Sequence, residues 1–227
     1  MQSISGILLA AGTSERFGSD KLLAMLSKDE RLLERALRIH LQSRIRPLVV
    51  VLSAHLKQML VDQPDIVSVA KLAIGETLYG QHTFSCQWGT GRLAANDNPQ
   101  LGMSSSIHVG LNSLTNDEKS NGVAISLADL PLLTPETIDS LIDEFLAKPI
   151  GIVLPVYNGR TGHPVIIDIH RFQTDIHKIE GDVGLRGIIE QHPEEVQKVP
   201  WHDDSVIQDI DSSADLERLF PYDKTHH

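Results

Sequence analysis

Residues 9–21 hold the densest chemistry in the chain: Leu9-Ala10-Ala11-Gly12-Thr13-Ser14-Glu15-Arg16-Phe17-Gly18-Ser19-Asp20-Lys21. An apolar run, Ile4 to Leu9, ends abruptly in small residues, two glycines, an arginine and a lysine. The run reads as a buried strand leading into a loop. Small residues let a backbone approach a ligand closely, and glycine can adopt positive φ. Successive N–H groups in such a loop form a concave anion site. Arg16 and Lys21 add full positive charge at its far end, where phosphates would lie. Leu9, Ala10, Ala11, Gly12, Arg16 and Lys21 are therefore candidate nucleotide-binding residues. The pattern is neither G-x-x-x-x-G-K-[ST] nor G-x-G-x-x-G.

Carboxylates that could hold a cation beside those phosphates occur twice. Asp129 in Ser126-Leu127-Ala128-Asp129-Leu130-Pro131 follows an apolar strand-like run. A carboxylate there is costly to bury unless it is paired or binds a cation. Asp209 and Asp211 lie two residues apart, so in extended chain they face opposite sides and only one reaches the site. Asp211 is the expected second metal ligand, with Ser213 capping the helix that follows. Magnesium fits such a pair, since it takes one or two carboxylates and completes its shell with phosphate oxygen and water.

Other segments offer polar groups for the rest of a substrate. Gly102-Met103-Ser104-Ser105-Ser106 precedes a helical pattern, and Ser104 and Ser105 are candidates to bind phosphate, ribose or base. His163 in Thr161-Gly162-His163-Pro164 can be a phosphate donor, a general base or a hydrogen-bonded structural histidine. Asp182 and Arg186 in Gly181-Asp182-Val183-Gly184-Leu185-Arg186 can contact substrate or pair with each other. The remaining histidines lack paired metal-binding spacing, and His226 and His227 contribute nothing to a metal reading.

The elements that must position these groups alternate. Helical spacing covers residues 32–44, a short helix 55–61, and further helices 104–114, about 134–147, 184–191 and 214–219. Thr134-Pro135 marks a helix start, with Thr as cap and Pro in the first turn. Strand-like runs cover 4–9, 47–52, 66–72, 123–127, 151–156 and 164–169. Strands separated by helices imply an α/β fold: a mainly parallel, Rossmann-like sheet with helices on both faces, in one domain over 1–221 with a tail at 222–227. Ligands in such sheets bind beyond the carboxyl ends of the strands. Residues 73–100 break the alternation and read as an irregular insertion, either a hairpin or a mobile flap.

Composition narrows the partners. The 227 residues carry a net charge of −10, which argues against nonspecific nucleic-acid binding. No apolar run approaches membrane-spanning length, and no signal-peptide pattern precedes Ile4. The one cysteine, Cys86, cannot form an intrachain disulfide, which fits a cytoplasmic protein.

Six motifs in order, LAAGTSERFGSDK, GMSSSI, LADLP, TGHPV, GDVGLR and DIDSSADL, resemble the MobA-like nucleotidyltransferases. The similarity is greatest to the molybdenum cofactor cytidylyltransferase family. It runs from Ile4 to about Leu219, apart from residues 73–100. The resemblance implies CMP transfer from CTP to molybdopterin-bound molybdenum, with the molybdenum cofactor as second substrate and a molybdenum hydroxylase as recipient. It aligns Arg16 and Lys21 with phosphate-binding positions, and Asp129 and Asp211 with metal-binding positions. Arg16, Lys21 and Asp129 are then the expected catalytic set, and His163, Asp182 and Arg186 the expected pterin contacts. Phe17 departs from the Met frequent in the family. Relatives that make the guanine dinucleotide resemble L-A-G-G at the loop; Ala11 in place of the first of those glycines favours CTP over GTP. A noncatalytic cofactor carrier or insertion chaperone is the rival outside enzymes, and Asp129 with Lys21 argues against it.

Overall fold

A computed structural model describes residues 4–12, 17, 20–68, 70–78 and 81–221. The strands are β1 (Ile4–Ala10), β2 (Ile45–Ser53), β3 (Ala73–Leu78), β4 (Gln81–Cys86), β5 (Gly89–Asn96), β6 (Val123–Leu127), β7 (Ile152–Tyr157), β8 (Arg160–Thr161), β9 (Val165–Ile167) and β10 (Val196–Pro200). The α-helices are α1 (Leu32–Gln42), α2 (Ala54–Asp62), α3 (Met103–Asn112), α4 (Asn116–Lys119), α5 (Pro135–Ala147), α6 (Gln173–Ile176), α7 (Arg186–Gln191) and α8 (Ser213–Leu219). The sheet order is β10-β7-β9-β6-β1-β2-β5-β4-β3, with β8 paired to β7. Strands β6, β1, β2 and β5 run parallel. β9 is antiparallel to both β6 and β7, and β3-β4-β5 is an antiparallel meander.

Alternation along the central strands builds two cores. Leu8, Val50 and Leu52 pack with Leu33, Leu37 and Leu41 of α1 and with Ile138, Leu141 and Ile142 of α5. Ile7, Leu9, Val49 and Val51 pack on the other face with Ile107 and Leu111 of α3 and Ile188 of α7. Successive side chains of a strand point to opposite faces, so a strand buried on both sides is apolar throughout. Gly110 lets α3 lie close on β1, because a Cβ there would collide with Ile7. The expected α/β architecture with helices on both faces is what the chain forms. Among the described residues, no helix is long and apolar enough to cross a membrane.

Two local expectations are corrected, one alternative is decided, and one strand is added. Among the described residues of 66–72 none lies in a strand: Pro64 opens a short 3-10 turn to Val67, and Ser68, Ala70 and Lys71 lie in turns. Buried Glu34 accepts the Ala70 N–H at 2.9 Å and Ala70 O accepts the Gln87 N–H at 3.2 Å, so Ala70 pairs its backbone outside any strand ladder. Of the two readings of residues 73–100, the described residues form the hairpin: β3, β4 and β5 are sheet strands. Polar and glycine-rich sequence suits a hairpin whose side chains are largely outside the core, and β5 enters the sheet beside β2. β10 carries little strand signal, since Gln197 and Lys198 interrupt its apolar pattern, yet it pairs in parallel with β7. Finally, Ser212 rather than Ser213 caps α8, and Asp215 returns its side chain to the Ser212 N–H in a reciprocal capping box.

Candidate active site at the carboxyl ends of the parallel strands

Strands β1, β2, β5 and β6 deliver their following loops to one edge of the sheet. A cleft of about 250 Å³ opens there. Leu9, Ala10, Ala11 and Gly12 from the end of β1 form one wall, and Pro99, Gly102, Met103 and Ser106 from the start of α3 form another. Lys21, Asp129 and Asp182 complete the polar rim. The cleft is therefore apolar toward β1 and α3, and charged toward Lys21.

Lys21 sits between two carboxylates remote in sequence. Its Nζ lies 2.7 Å from Asp129 Oδ2 and 3.1 Å from Asp211 Oδ1. Lys21 and Asp129 are largely buried, with side chains 12% and 19% exposed, whereas Asp211 is 51% exposed. Burial works against the ammonium charge, but Asp129 and Asp211 outweigh it and hold the Lys21 pKa above its ordinary value. Asp20, the cap of the turn that carries Lys21, accepts the Leu22 N–H at 3.2 Å. Backbone bonding joins the two acidic loops, since Ile210 N–H donates to Asp129 O at 3.0 Å. Asp129 Oδ1 is buried with no hydrogen-bond partner among the described residues. Asp209 is less suited to carry charge here: burial raises its pKa, and the nearby charges of Asp211 and Asp129 raise it further.

The expected site residues divide. Leu9, Ala10, Ala11, Gly12, Lys21, Asp129 and Asp182 come together at the cleft, and Asp211 joins them through Lys21. Arg16 lies outside the described residues, as do His226 and His227. Of the three consecutive serines, the cleft wall takes Ser106 rather than Ser104 or Ser105. Ser104 is buried with a hydroxyl unpartnered among the described residues, and Ser105 donates to Gly102 O at 2.7 Å. Helical rotation of about 100° per residue separates the three, which a run of identical residues cannot reveal. Asp182, exposed at the cleft rim, accepts the Met103 N–H at 3.1 Å, while Arg186 is exposed and ion-pairs with no carboxylate among the described residues. The Asp182–Arg186 pair is thus not formed. His163 lies beneath the site, its Nδ1 3.4 Å from Ile125 O. Burial pushes its pKa down, which keeps the ring neutral. Asn96 and Pro99 carry no signal in the sequence, and within Gly102-Met103-Ser104-Ser105-Ser106 the expectation singled out Ser104 and Ser105 where the cleft is lined by Gly102, Met103 and Ser106. The positive φ of 87° at Gly102 is a conformation glycine adopts freely, and a glycine just before a helix start was the available signal.

Comparison with known proteins adds lineage to this geometry. Nicotine blue oxidoreductase of Paenarthrobacter nicotinovorans is 25% identical over 223 residues, covering 95% of this chain and 96% of that protein. The crystal structure of Rv0371c from Mycobacterium tuberculosis H37Rv matches with a TM-score of 0.71 at 21% identity, over 97% of this chain and 100% of that one. The same protein in complex with manganese matches with a TM-score of 0.67 at 20% identity, over 97% and 99% of the two chains. Molybdopterin-guanine dinucleotide biosynthesis protein A from Archaeoglobus fulgidus matches with a TM-score of 0.62 at 14% identity, over 96% and 97%. These structures share the fold. The sequence profile of the MobA-like NTP transferase domain matches residues 6–196, a span that includes the β1 loop, Lys21, the start of α3 and Asp129. A match over most of the chain, centred on the segments that build the cleft, makes this protein a member of the MobA-like NTP transferase domain family.

Proposed function

We propose that the protein transfers CMP from CTP to the terminal phosphate of molybdenum-bound molybdopterin, releasing pyrophosphate and forming the cytosine dinucleotide cofactor. The observation that carries this reading is Lys21 held between Asp129 and Asp211 at the mouth of a cleft walled by Leu9 to Gly12. An oxygen of the pterin phosphate attacks the α-phosphorus of CTP, and the bond to the β-phosphate oxygen breaks. The acceptor phosphate is already a competent nucleophile, so no covalent enzyme intermediate is needed. The obstacle is electrostatic, because two polyanions must meet. Lys21 is placed to turn from the carboxylates to the triphosphate and to stabilise the pyrophosphate as charge moves onto it. Arg16 is proposed to join it from the same loop. Asp182 and the residues around His163 and Arg186 are proposed to orient the pterin, with the recipient of the finished cofactor a molybdenum hydroxylase.

The two carboxylates fit a divalent cation. Both already share one positive charge, and the buried Asp129 Oδ1 has no other partner. Among the described residues no set of three His, Cys, Asp or Glu side chains could hold a metal. Two carboxylates completed by phosphate oxygen and water match magnesium. When bound, Mg²⁺ neutralises charge on the phosphates; Asp129 and Asp211 would hold it.

The relative named nicotine blue oxidoreductase supports a second reading, redox chemistry on a ring substrate in the same cleft, because the match runs nearly end to end. One assay separates the possibilities. The protein is incubated with Mg²⁺, the molybdenum-loaded pterin and CTP, GTP, ATP or UTP in turn, and pyrophosphate and dinucleotide product are measured. Fastest release with CTP is expected. Faster turnover of GTP would make the protein a guanylyltransferase. Tight pterin binding without pyrophosphate would indicate a carrier, and, in a parallel incubation with nicotine blue and an added hydride-donating reductant, a protein-dependent colour change would favour the redox reading.

A further inference from the structure

Behind the α3 wall of the cleft lies Asn96, the last residue of β5, which is 2% exposed. Its Oδ1 accepts the Asn98 backbone N–H at 2.9 Å. A backbone N–H can only donate, so this bond fixes which way round the amide lies. Nδ2 must therefore face the serines, and it meets Ser105 Oγ at 2.8 Å and Ser106 Oγ at 2.9 Å. The two hydroxyls respond differently. Ser105 passes its own proton to Gly102 O. Ser106 accepts from Asn96 and has no acceptor for its own proton among the described residues; it is also the serine on the cleft wall.

We propose that Asn96 is a positioning residue that sets the polarity of the base subsite: by donating to Ser106 it makes that hydroxyl a hydrogen-bond donor into the cleft. The inference rests on the nucleotide reading above and names how the same site would choose its base. Cytosine presents adjacent acceptors, N3 and O2, on its Watson–Crick edge. Guanine presents N1–H and an amino group, both donors, beside its O6. With one lone pair taken by Asn96 and its proton directed into the cleft, the Ser106 hydroxyl favours the adjacent acceptors of the first edge and offers the paired donors of the second only its one remaining lone pair.

Asn96→Asp tests this with nearly unchanged shape. A carboxylate accepts from both serine hydroxyls and from the Asn98 N–H, so the Ser106 proton turns inward and its lone pairs face the cleft. CTP and GTP binding are measured by calorimetry on the full chain with Mg²⁺ and without pterin. Both ligands carry the same triphosphate, so the ratio of their affinities cancels the general effect of the added charge. The expected result is a fall of about tenfold or more in the CTP-to-GTP affinity ratio, the value of one hydrogen bond. Ser106→Ala should also lower the ratio, and adding Asn96→Asp to Ser106→Ala should change it no further. An unchanged ratio in Asn96→Asp, or a further shift in the double variant, overturns the proposal. If Asn96→Asp fails to fold by thermal unfolding, Ser106→Ala and Ser106→Thr carry the test: Thr keeps the hydroxyl and should keep the ratio, and equal ratios in the two overturn the idea. A shifted ratio without pyrophosphate release would sink the transferase reading while leaving the polarity assignment standing. Failure of the parent protein to bind either nucleotide would overturn both.

Discussion

Replacing Lys21 by Met removes one charge and keeps most of the aliphatic stem, so it isolates the electrostatics of the acidic pair. In the parent, Nζ contacts Asp129 at 2.7 Å and Asp211 at 3.1 Å. Exposed ion pairs contribute about 0–1 kcal/mol, and breaking a buried one costs about 3–5 kcal/mol. With Asp129 largely buried and Asp211 half exposed, the loss should fall between these, at about 2 kcal/mol. For a domain of this length that corresponds to a drop of roughly 4–8 °C in Tm. Pyrophosphate release should fall by about 10²–10³-fold, the usual cost of one charge stabiliser at a developing anion. The sharper readout is the metal. In the parent, a cation entering the carboxylate pair competes with the charge of Nζ; in Lys21→Met it does not. Thermal unfolding with and without Mg²⁺ should therefore show a larger metal-induced rise in Tm for the variant than for the parent. An unchanged Tm together with equal metal shifts in both proteins would refute the idea that Lys21 and the cation share these ligands.

Asp129→Asn and Asp211→Asn should each slow transfer and raise the Mg²⁺ concentration needed for half-maximal rate, with Asp129→Asn the more severe because that side chain is the more buried; a metal titration of the initial rate decides it. His40 is fully buried with Nδ1 2.8 Å from Ala36 O, and burial lowers its pKa to about 4. The folded state thus favours the neutral ring, so stability should fall as pH drops below about 6.5 and level off near 4, by about 3 kcal/mol in all; denaturant titrations across that range should show a flatter profile in His40→Gln. Gly110→Ala should destabilise the protein by about 1–3 kcal/mol, since the new methyl group would force α3 away from Ile7, and chemical denaturation measures it directly.

Much of this protein is legible along the chain. The run Ile7-Leu8-Leu9 ending in Ala10-Ala11-Gly12 announces a strand that delivers a ligand loop, because a strand buried on both faces shows a continuous apolar run in place of alternation. Thr134 and Pro135 mark the start of α5, since capping is local chemistry. Lys21, Asp129 and Asp211 stand out because charge next to buried strands needs a partner. What the chain cannot show is decided by contacts between distant residues. Residues 66–72 look like a strand, but the Glu34 carboxylate, far back in α1, satisfies the Ala70 N–H and frees the segment from the sheet. Residues 73–96 and 196–200 lack a strong strand pattern and become strands because a neighbouring edge supplies hydrogen bonds. The three serines at the start of α3 are equivalent in sequence; helical rotation and the orientation of Asn96 single out Ser106. The joining of Lys21 to both carboxylates is likewise tertiary. It depends on three loops that converge where parallel strands end, a closeness that sequence separations of 108 and 190 residues give no means of reading.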